Sequence, residues 1–379
     1  MASGQPLVWT WRCSCEHGVV LVRAVSTRKP SWWSALVACG LVASTSAVRS
    51  ADPQPLVRPV RLSRWEYHRR VMGVDFQVVL YGASRDAANS AAAAALDRVT
   101  QIDRTCSDYR PDSELRKTFD HARAGQPQKL SPDLARVLAI SQRISRDTGG
   151  AFDVTVGPLT KLWRRARRQK RLPPADRLRE ARSRVGFRLL EVDERSRRAT
   201  VLRDGMRLDL GGIAKGYAVD RAMEVLVRRG FTCALVDGSG DLRVGDPPPG
   251  RRGWRIEVES LKRPPGARLQ KPEVVELSNV AVATSGHAYQ SVTIDGRTYS
   301  HILDPRTGIG LTRASSVTVM APDATTADAL ASAASVLGPR PGAKLVAAIQ
   351  GVESLFVTLE GNLRTTYRSK GWPDRPAQR

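Results

Sequence analysis

The chain has 379 residues, 41% hydrophobic and 26% charged, which is enough apolar material for one large α/β domain or two intertwined lobes and excludes an intrinsically disordered chain. Its formal net charge of +23 ordinarily raises nucleic acid or acidic lipid as partners, because Lys and Arg supply sequence-independent affinity for polyphosphates. The cysteines exclude a disulfide framework: Cys13, Cys15 and Cys39 crowd the N-terminus, leaving Cys106 and Cys233 in the body as two isolated thiols, with a single bridge between them left open.

Residues 1–51 read as an export signal. Arg28 and Lys29 precede an apolar run, Trp32 to Ala43, that is too short to span a membrane and is followed by small residues through Ala47. Cleavage after Ala47 or Ala51 would release a soluble periplasmic protein. LeuValAlaCys at 36–39 also resembles a bacterial lipobox, which would leave Cys39 acylated and the protein anchored to the membrane. Residues 52–66 are a Pro-containing linker.

From Tyr67 to Tyr81 the residues alternate as a hairpin around Met72 and Gly73. Ser84 then caps a helix through Ile102, with Leu96, Val99 and Ile102 as its core stripe. The polar, proline-broken run from Ile102 to Leu115 predicts a loop, in which Tyr109 is either a surface aromatic or a platform for a ligand. Ser131, Pro132 and Asp133 start a second helix, buried along Leu134, Val137, Leu138 and Ile144 and stopped by Gly149 and Gly150. Asp153, in an apolar stretch bounded by Gly and Pro, is either a turn former or a carboxylate presented to a pocket. From Lys161 to Arg207 the chain is densely basic. Its periodic Leu and Val predict short helices whose charged face is solvated, or else meets a polyanion or a membrane surface.

Residues 209–220, DLGGIAKGYAVD, have spacing that suggests chemistry. A strand end, the pair Gly211 and Gly212, and a helix from about Lys215 to Arg229 would bring unpaired N–H groups and the positive end of a helix dipole to one point, where phosphate binds well. Lys215 in the first turn is unhelpful to that dipole and implies an anionic partner. Taken alone, the segment also fits an ordinary strand-to-helix turn, because it lacks the full Walker spacing. The next strands, PheThrCysAlaLeuValAsp and TrpArgIleGluValGlu, predict a β-α-β unit.

Further strands follow, with a hairpin at Asp295 and Gly296 that returns into TyrSerHisIleLeuAspProArgThrGly. His301 and Asp304 share that tight segment with Arg306 and Thr307, and both could point at a site. A later helix carries Asp328 and Ser332 at i and i+4, on one face. They are either polar positions among alanines or hard oxygen ligands for Mg²⁺, which takes few protein ligands beside phosphate and water.

In this order, MetGly at 72, SerAspTyrArg at 107, GlyAlaPheAspValThrValGlyProLeu at 150, the 209–220 segment, AlaThrSerGly at 283, SerHisIleLeuAspProArgThrGly at 300 and AlaAspAlaLeuAlaSer at 327 resemble the ApbE family of FAD:protein FMN transferases. The resemblance implies a single α+β, T-fold-like catalytic domain with mixed sheets and packed helices over residues 67–367, followed by a tail at 368–379. It also implies an exported or lipid-anchored enzyme that uses Mg²⁺ and FAD and moves FMN onto a Ser or Thr hydroxyl, releasing AMP. The acceptor would be a protein, such as a subunit of a membrane redox complex, with no part for nucleic acid. By this resemblance Met72, Tyr109, Ala151, Phe152, Asp153, Asp209, Lys215 and Ile302 line the FAD site. The Gly212 carbonyl, Asp328 and Ser332 hold the metal, and His301 and Asp304 sit beside the reacting phosphate, His301 activating the acceptor hydroxyl. Ser239 replaces a usual glycine and is expected to crowd its loop, and His287 and Ala288 replace a usual Asp-Tyr.

Overall fold

The computed structural model describes residues 61–258, 273–286, 291–360 and 363–373. The export segment with Cys39, most of the linker, His287, Ala288 and the last residues of the tail lie outside them.

Strict alternation builds the first hairpin, β1 (Ser63–Val71) and β2 (Val74–Gly82), antiparallel from the Ser63–Gly82 pair to the Val71–Val74 pair. Met72 at φ 53° and Gly73 at φ 78° supply the left-handed pair that a two-residue hairpin turn requires. Helix α1 (Arg85–Cys106) begins at Ser84, whose Oγ accepts the Ala87 N–H at 3.3 Å. It runs past Ile102, where a loop was expected, because Cys106 continues the buried stripe one turn further. Helix α2 (Glu114–Phe119), capped by Ser113, then takes the end of that loop. The short β3 (Gln128–Lys129) leads into α3 (Pro132–Asp147), capped by Ser131 as its sequence predicts.

The basic region forms α4 (Gly157–Gln169) and α5 (Ala175–Arg182), then departs from the predicted helices. β4 (Leu190–Asp193) and β5 (Arg198–Val201) make a hairpin. Leu190 pairs with Val201 and Val192 with Ala199, so the apolar residues share one face. A period of two was present there, masked by arginines that occupy the turn and the outer face.

Helix α6 (Ala214–Arg228) is followed by β6 (Ala234–Asp237), β7 (Asp241–Val244), β8 (Trp254–Val258), β9 (Glu273–Leu277) and β10 (Val280–Gly286). Then come β11 (Ser291–Ile294), β12 (Arg297–Ser300), β13 (Ala314–Ala321), α7 (Ala324–Leu337), α8 (Pro339–Ala347), β14 (Glu353–Glu360) and β15 (Leu363–Arg368). The main sheet runs β1-β2-β6-β7-β10-β13-β14-β15, with every neighbouring pair antiparallel. The β-α-β unit expected around α6 therefore does not form. The residues ahead of α6 make only a bridge, Arg207 to Val156, and the Gly238–Gly240 connection is far shorter than a parallel crossover needs.

One sheet face packs against α1, α6 and α7 in the main core, which includes Phe76, Leu96, Tyr217, Val236, Val319 and Leu330. The other face is covered by the β8–β9 ribbon through Trp254, Ile256, Val275 and Leu277. A third cluster seats Trp163 and Ala166 of α4 against Ile294 and Tyr299 of the β11–β12 hairpin. The result is one α+β domain of mixed sheets and packed helices. Cys106 is buried in the core and Cys233 is half-buried, and both are free thiols.

Candidate active site

Two helices set the geometry. α6 and α7 cross at Gly216, where a Cβ would stand 2.7 Å from the carbonyl carbon of Ala324, 2.9 Å from Asp328 Cβ, and closer still to Ala324 O. Only a residue without a Cβ lets the helices approach so closely. The crossing is locked one turn on by Asp220, which is 1% exposed. Its carboxylate accepts the N–H groups of Ala324 (2.9 Å) and Thr325 (2.8 Å), the Thr325 hydroxyl (2.5 Å) and the Arg243 guanidinium (2.8 Å). Asp220 thus satisfies two of the orphan donors at the start of α7, and fixes which residues of α7 face α6.

The residues that face it are the expected pair. Asp328 is 4% exposed and its Oδ2 accepts the Gly216 N–H at 3.1 Å. Burial pushes its carboxyl up to about 8; neighbouring Asp241 adds to the rise, while Lys215 opposes it. One turn on, Ser332 Oγ lies 3.0 Å from where a Cβ on Gly212 would be, with Phe152 3.4 Å from the same point. Ser285, from the AlaThrSerGly motif on β10, reaches the same place, its Oγ 3.4 Å from Ser332 Oγ. A buried carboxyl, a hydroxyl and a backbone turn thus share one small volume. Among the described residues, no group of three or more His, Cys, Asp or Glu side chains forms a metal cluster. A cation here would take hard oxygens from these few groups and the rest from a ligand, the preference of Mg²⁺.

Lys215 pairs with Asp241, which is 2% exposed. Burial works to lower the lysine pKa, yet the charges of Asp241 and Asp328 outweigh it and hold the ammonium above its ordinary value. Asp237, at the end of β6, is raised by burial and by Asp241. The N-cap residue Ile213 gives α6 no side-chain cap and its first turn holds no acidic residue; Leu210 O takes the Ala214 N–H and Asp328 the Gly216 N–H, so what draws an anion there is the positive end of the helix dipole together with Lys215. The loop bearing Asp241 touches the tip of the first hairpin: Ser239, left-handed at φ 62°, donates its hydroxyl to Asp75 O at 3.0 Å. The expected crowding is thereby relieved, because the side chain turns outward. Met72, at that same tip, is half-buried against the main core. A bulky residue held at positive φ is uncommon.

A second group of expected residues gathers around α4. Arg164 forms an ion pair with Asp108, reaches Asp209 at 3.4 Å, and lies over the Tyr109 ring at 4.0 Å from its centroid. Tyr109 itself is 72% exposed, so the ring is braced by the guanidinium while remaining open to solvent. Burial and the Asp209 charge push Asp108 up to about 6. Asp209 Oδ1 accepts the Gly211 N–H at 2.8 Å, shaping the turn that ends at Gly212. The neighbouring residue Trp163 donates its indole N–H to Ser300 O at 3.1 Å. Consecutive residues of one helix therefore hold the central turn and the segment bearing His301.

His301 is exposed and Ile302 packs against the main core. Asp304 is committed to local structure: its oxygens accept the Arg306 N–H (2.9 Å), Nε (2.9 Å) and Nη2 (2.8 Å). Asp153 forms a turn, Oδ1 taking the Thr155 N–H at 2.8 Å and hydroxyl at 2.7 Å. Just before that turn Ala151 and Phe152 are both buried, and Phe152 lies beside Gly212. Sequence reasoning assigned nothing to Gly216, Asp220, Asp241 or Ser285. The first two stand inside the 209–220 motif at i and i+4, spacing that a shared helix face would have disclosed.

The sequence profile of the ApbE family matches residues 72–356. The chain is 29% identical over 305 residues to the FAD:protein FMN transferase of Klebsiella pneumoniae (strain 342), which covers 79% of this chain and 86% of that protein. Among solved structures, the apo form of Pseudomonas stutzeri flavinyl transferase ApbE is similar with a TM-score of 0.71 at 30% identity, over 82% of this chain and 95% of that one. The flavin transferase ApbE from Vibrio cholerae is similar with a TM-score of 0.71 at 27% identity, over 82% and 98%.

Proposed function

The chain belongs to the ApbE family, and from that footing we propose that it transfers FMN from FAD to a Ser or Thr hydroxyl of an acceptor protein, with Mg²⁺, releasing AMP. The observation that carries this reading is the α6–α7 crossing, where the Gly212 turn, Ser332, buried Asp328 and Lys215 occupy one place. A buried carboxyl one turn from a hydroxyl on the same helix face, both against the Gly212–Gly216 turn, is a set of hard oxygens that suits Mg²⁺. Asp328, Ser332 and the Gly212 carbonyl would hold the metal, which when bound supplies neutralising charge to the pyrophosphate.

The chain's own groups divide the remaining work. Lys215 and the positive end of the α6 dipole bind the phosphates. Tyr109, braced by Arg164, offers its open face to the flavin ring, and Met72, Ala151, Phe152, Asp153, Asp209 and Ile302 line the rest of the FAD site. The acceptor oxygen bonds to the phosphorus of the FMN half while the bond from that phosphorus to the bridging oxygen breaks. AMP leaves with that oxygen, and His301 takes the hydroxyl proton. Asp304 acts as a positioning residue, holding the His301 turn through Arg306. We further propose that the enzyme is exported on residues 1–51 to the periplasm, anchored where Cys39 is acylated, and that it serves a subunit of a membrane redox complex.

Incubation with FAD, Mg²⁺ and a Thr-bearing acceptor should give a covalently flavinylated acceptor and an equal amount of AMP. AMP release that is indifferent to the acceptor would make the protein an FAD pyrophosphatase instead. His301→Ala is expected to slow transfer by about 10²-fold or more, the scale of a lost general base, with FAD affinity retained. A collapse of FAD binding at an unchanged rate of transfer would move His301 out of that role.

Arg164→Gln removes a cation stacked on Tyr109 and leaves Asp108 and Asp209 facing each other. We expect the KM for FAD to rise about tenfold, equivalent to about 1.4 kcal/mol, with kcat little changed. Arg164→Lys should recover only part of the loss, since an ammonium cannot bridge the two carboxylates and stack in the same way. An unaltered KM would remove Tyr109 as the flavin platform.

A further inference from the structure

We infer that the outer face of the α4–α5 helical pair is the docking surface for the acceptor, and that it selects polypeptide carrying acidic residues around the acceptor hydroxyl. The inference rests on the transferase reading and adds the chemistry of the partner. Lys161, Arg165 and Arg168 stand at i, i+4 and i+7 on α4, opposite the buried Leu159, Trp163 and Ala166, and are joined by Arg171, Arg179 and Arg182. All six are exposed, and none is in an ion pair among the described residues. Of the two acids on α5, Glu180 is taken by Arg177 at 3.3 Å and Arg184 at 2.9 Å, which leaves Asp176 alone against the six cations. Uncompensated cations on one small face repel one another, a cost that an anionic partner relieves while it is steered in.

The position of this face identifies the partner. Trp163 donates to Ser300 O. Leu159 and Leu178 lie 2.8 and 2.9 Å from where a Cβ on Gly308 would be, and Trp163 is 2.5 Å from the same point on Gly310. Both helices are therefore fastened to the segment that carries His301, where the acceptor hydroxyl must arrive, α4 by the side opposite its cations, so the cations flank the entrance at the remove of one helix diameter, about 10 Å. The face lacks what a membrane-surface helix needs, an apolar stripe to insert: the exposed large hydrophobics are Tyr109, Leu202, Val227, Leu363 and Tyr367 among the described residues, none of them on α4 or α5.

The test uses the full chain and two fluorescein-labelled peptides with one central Thr, flanked by aspartates in one and by serines in the other. Binding is read by anisotropy without FAD. The acidic peptide should bind at least about tenfold more tightly, and the preference should vanish in Arg165→Glu/Arg168→Glu/Arg179→Glu but persist in Arg228→Glu, a reversal on α6. Equal binding of the two peptides overturns the inference. So does an unchanged preference in the triple variant, or an equal loss in Arg228→Glu, which would reduce the effect to net charge. If the triple variant instead loses co-sedimentation with phosphatidylglycerol vesicles while both peptides bind alike, the face is a lipid contact and the inference fails. Acidic preference without flavin transfer to either peptide would count against the transferase chemistry and leave the docking surface standing.

Discussion

Asp328→Ala is expected to lower flavin transfer by about 10³-fold or more at any Mg²⁺ concentration. Losing a charged ligand from a metal that neutralises a phosphoryl transition state removes several kcal/mol of stabilisation, and each 1.36 kcal/mol is about tenfold in rate. The fold should survive. The Gly216 N–H loses its acceptor, a penalty of about 1–3 kcal/mol, but removing the carboxyl also ends its unfavourable proximity to Asp241. Asp328→Asn separates the two roles, because an amide oxygen can still accept from Gly216 while the negative charge is gone. If the Asp328→Asn protein melts like the wild type yet makes neither AMP nor flavinylated acceptor, the charge is what matters. Full Mg²⁺-dependent turnover by that variant would remove Asp328 from the metal site.

What could be foreseen about this molecule depended on whether the signal was local. The Met72–Gly73 hairpin, the Ser84 and Ser131 caps and the Asp295–Gly296 turn are consequences of neighbouring residues, and each stands where its sequence places it. The β4–β5 hairpin was hidden because arginines in the turn swamped a short alternation. The parallel unit around α6 failed because partner choice is a property of the sheet: β6 pairs with β2 and β7, which no residue near α6 specifies. The site divides in the same way. Asp328 and Ser332 were legible at i and i+4 along one helix. That Asp241 neutralises Lys215, that Arg164 bridges Asp108 and Asp209, and that Ser285 reaches Ser332 are contacts between distant segments, and nothing in the spacing announces them. Asp304 shows the converse. A His and an Asp in one tight turn suggest a catalytic pair, yet the geometry gives the carboxylate to Arg306 two residues on.

Gly216→Ala carries the second large effect, and its sign distinguishes a helix property from a packing property. Glycine inside a helix is about 1 kcal/mol worse than alanine, so on propensity alone the substitution should stabilise α6. The crossing argues the reverse. The new methyl would stand 2.7 Å from Ala324 C and 2.9 Å from Asp328 Cβ, and the first obstacle is backbone, which cannot swing aside like a long side chain. Overpacking of this kind costs about 1–3 kcal/mol and occasionally more. The cost should exceed the propensity gain, because relief requires α7 to lift from α6 against the Asp220 bonds to Ala324 and Thr325. We expect the melting temperature to fall by about 2–8 °C, taking roughly 2–4 °C per kcal/mol for a domain of this size. The same displacement draws Asp328 and Ser332 away from the Gly212 turn, so the Mg²⁺ concentration needed for half-maximal transfer should rise at least about tenfold, or about 1.4 kcal/mol of lost binding. Thermal unfolding and an Mg²⁺ titration of flavin transfer check both halves. A melting temperature that stays level or rises would mean that the crossing relaxes without strain, and that Gly216 does not set the distance between the helices.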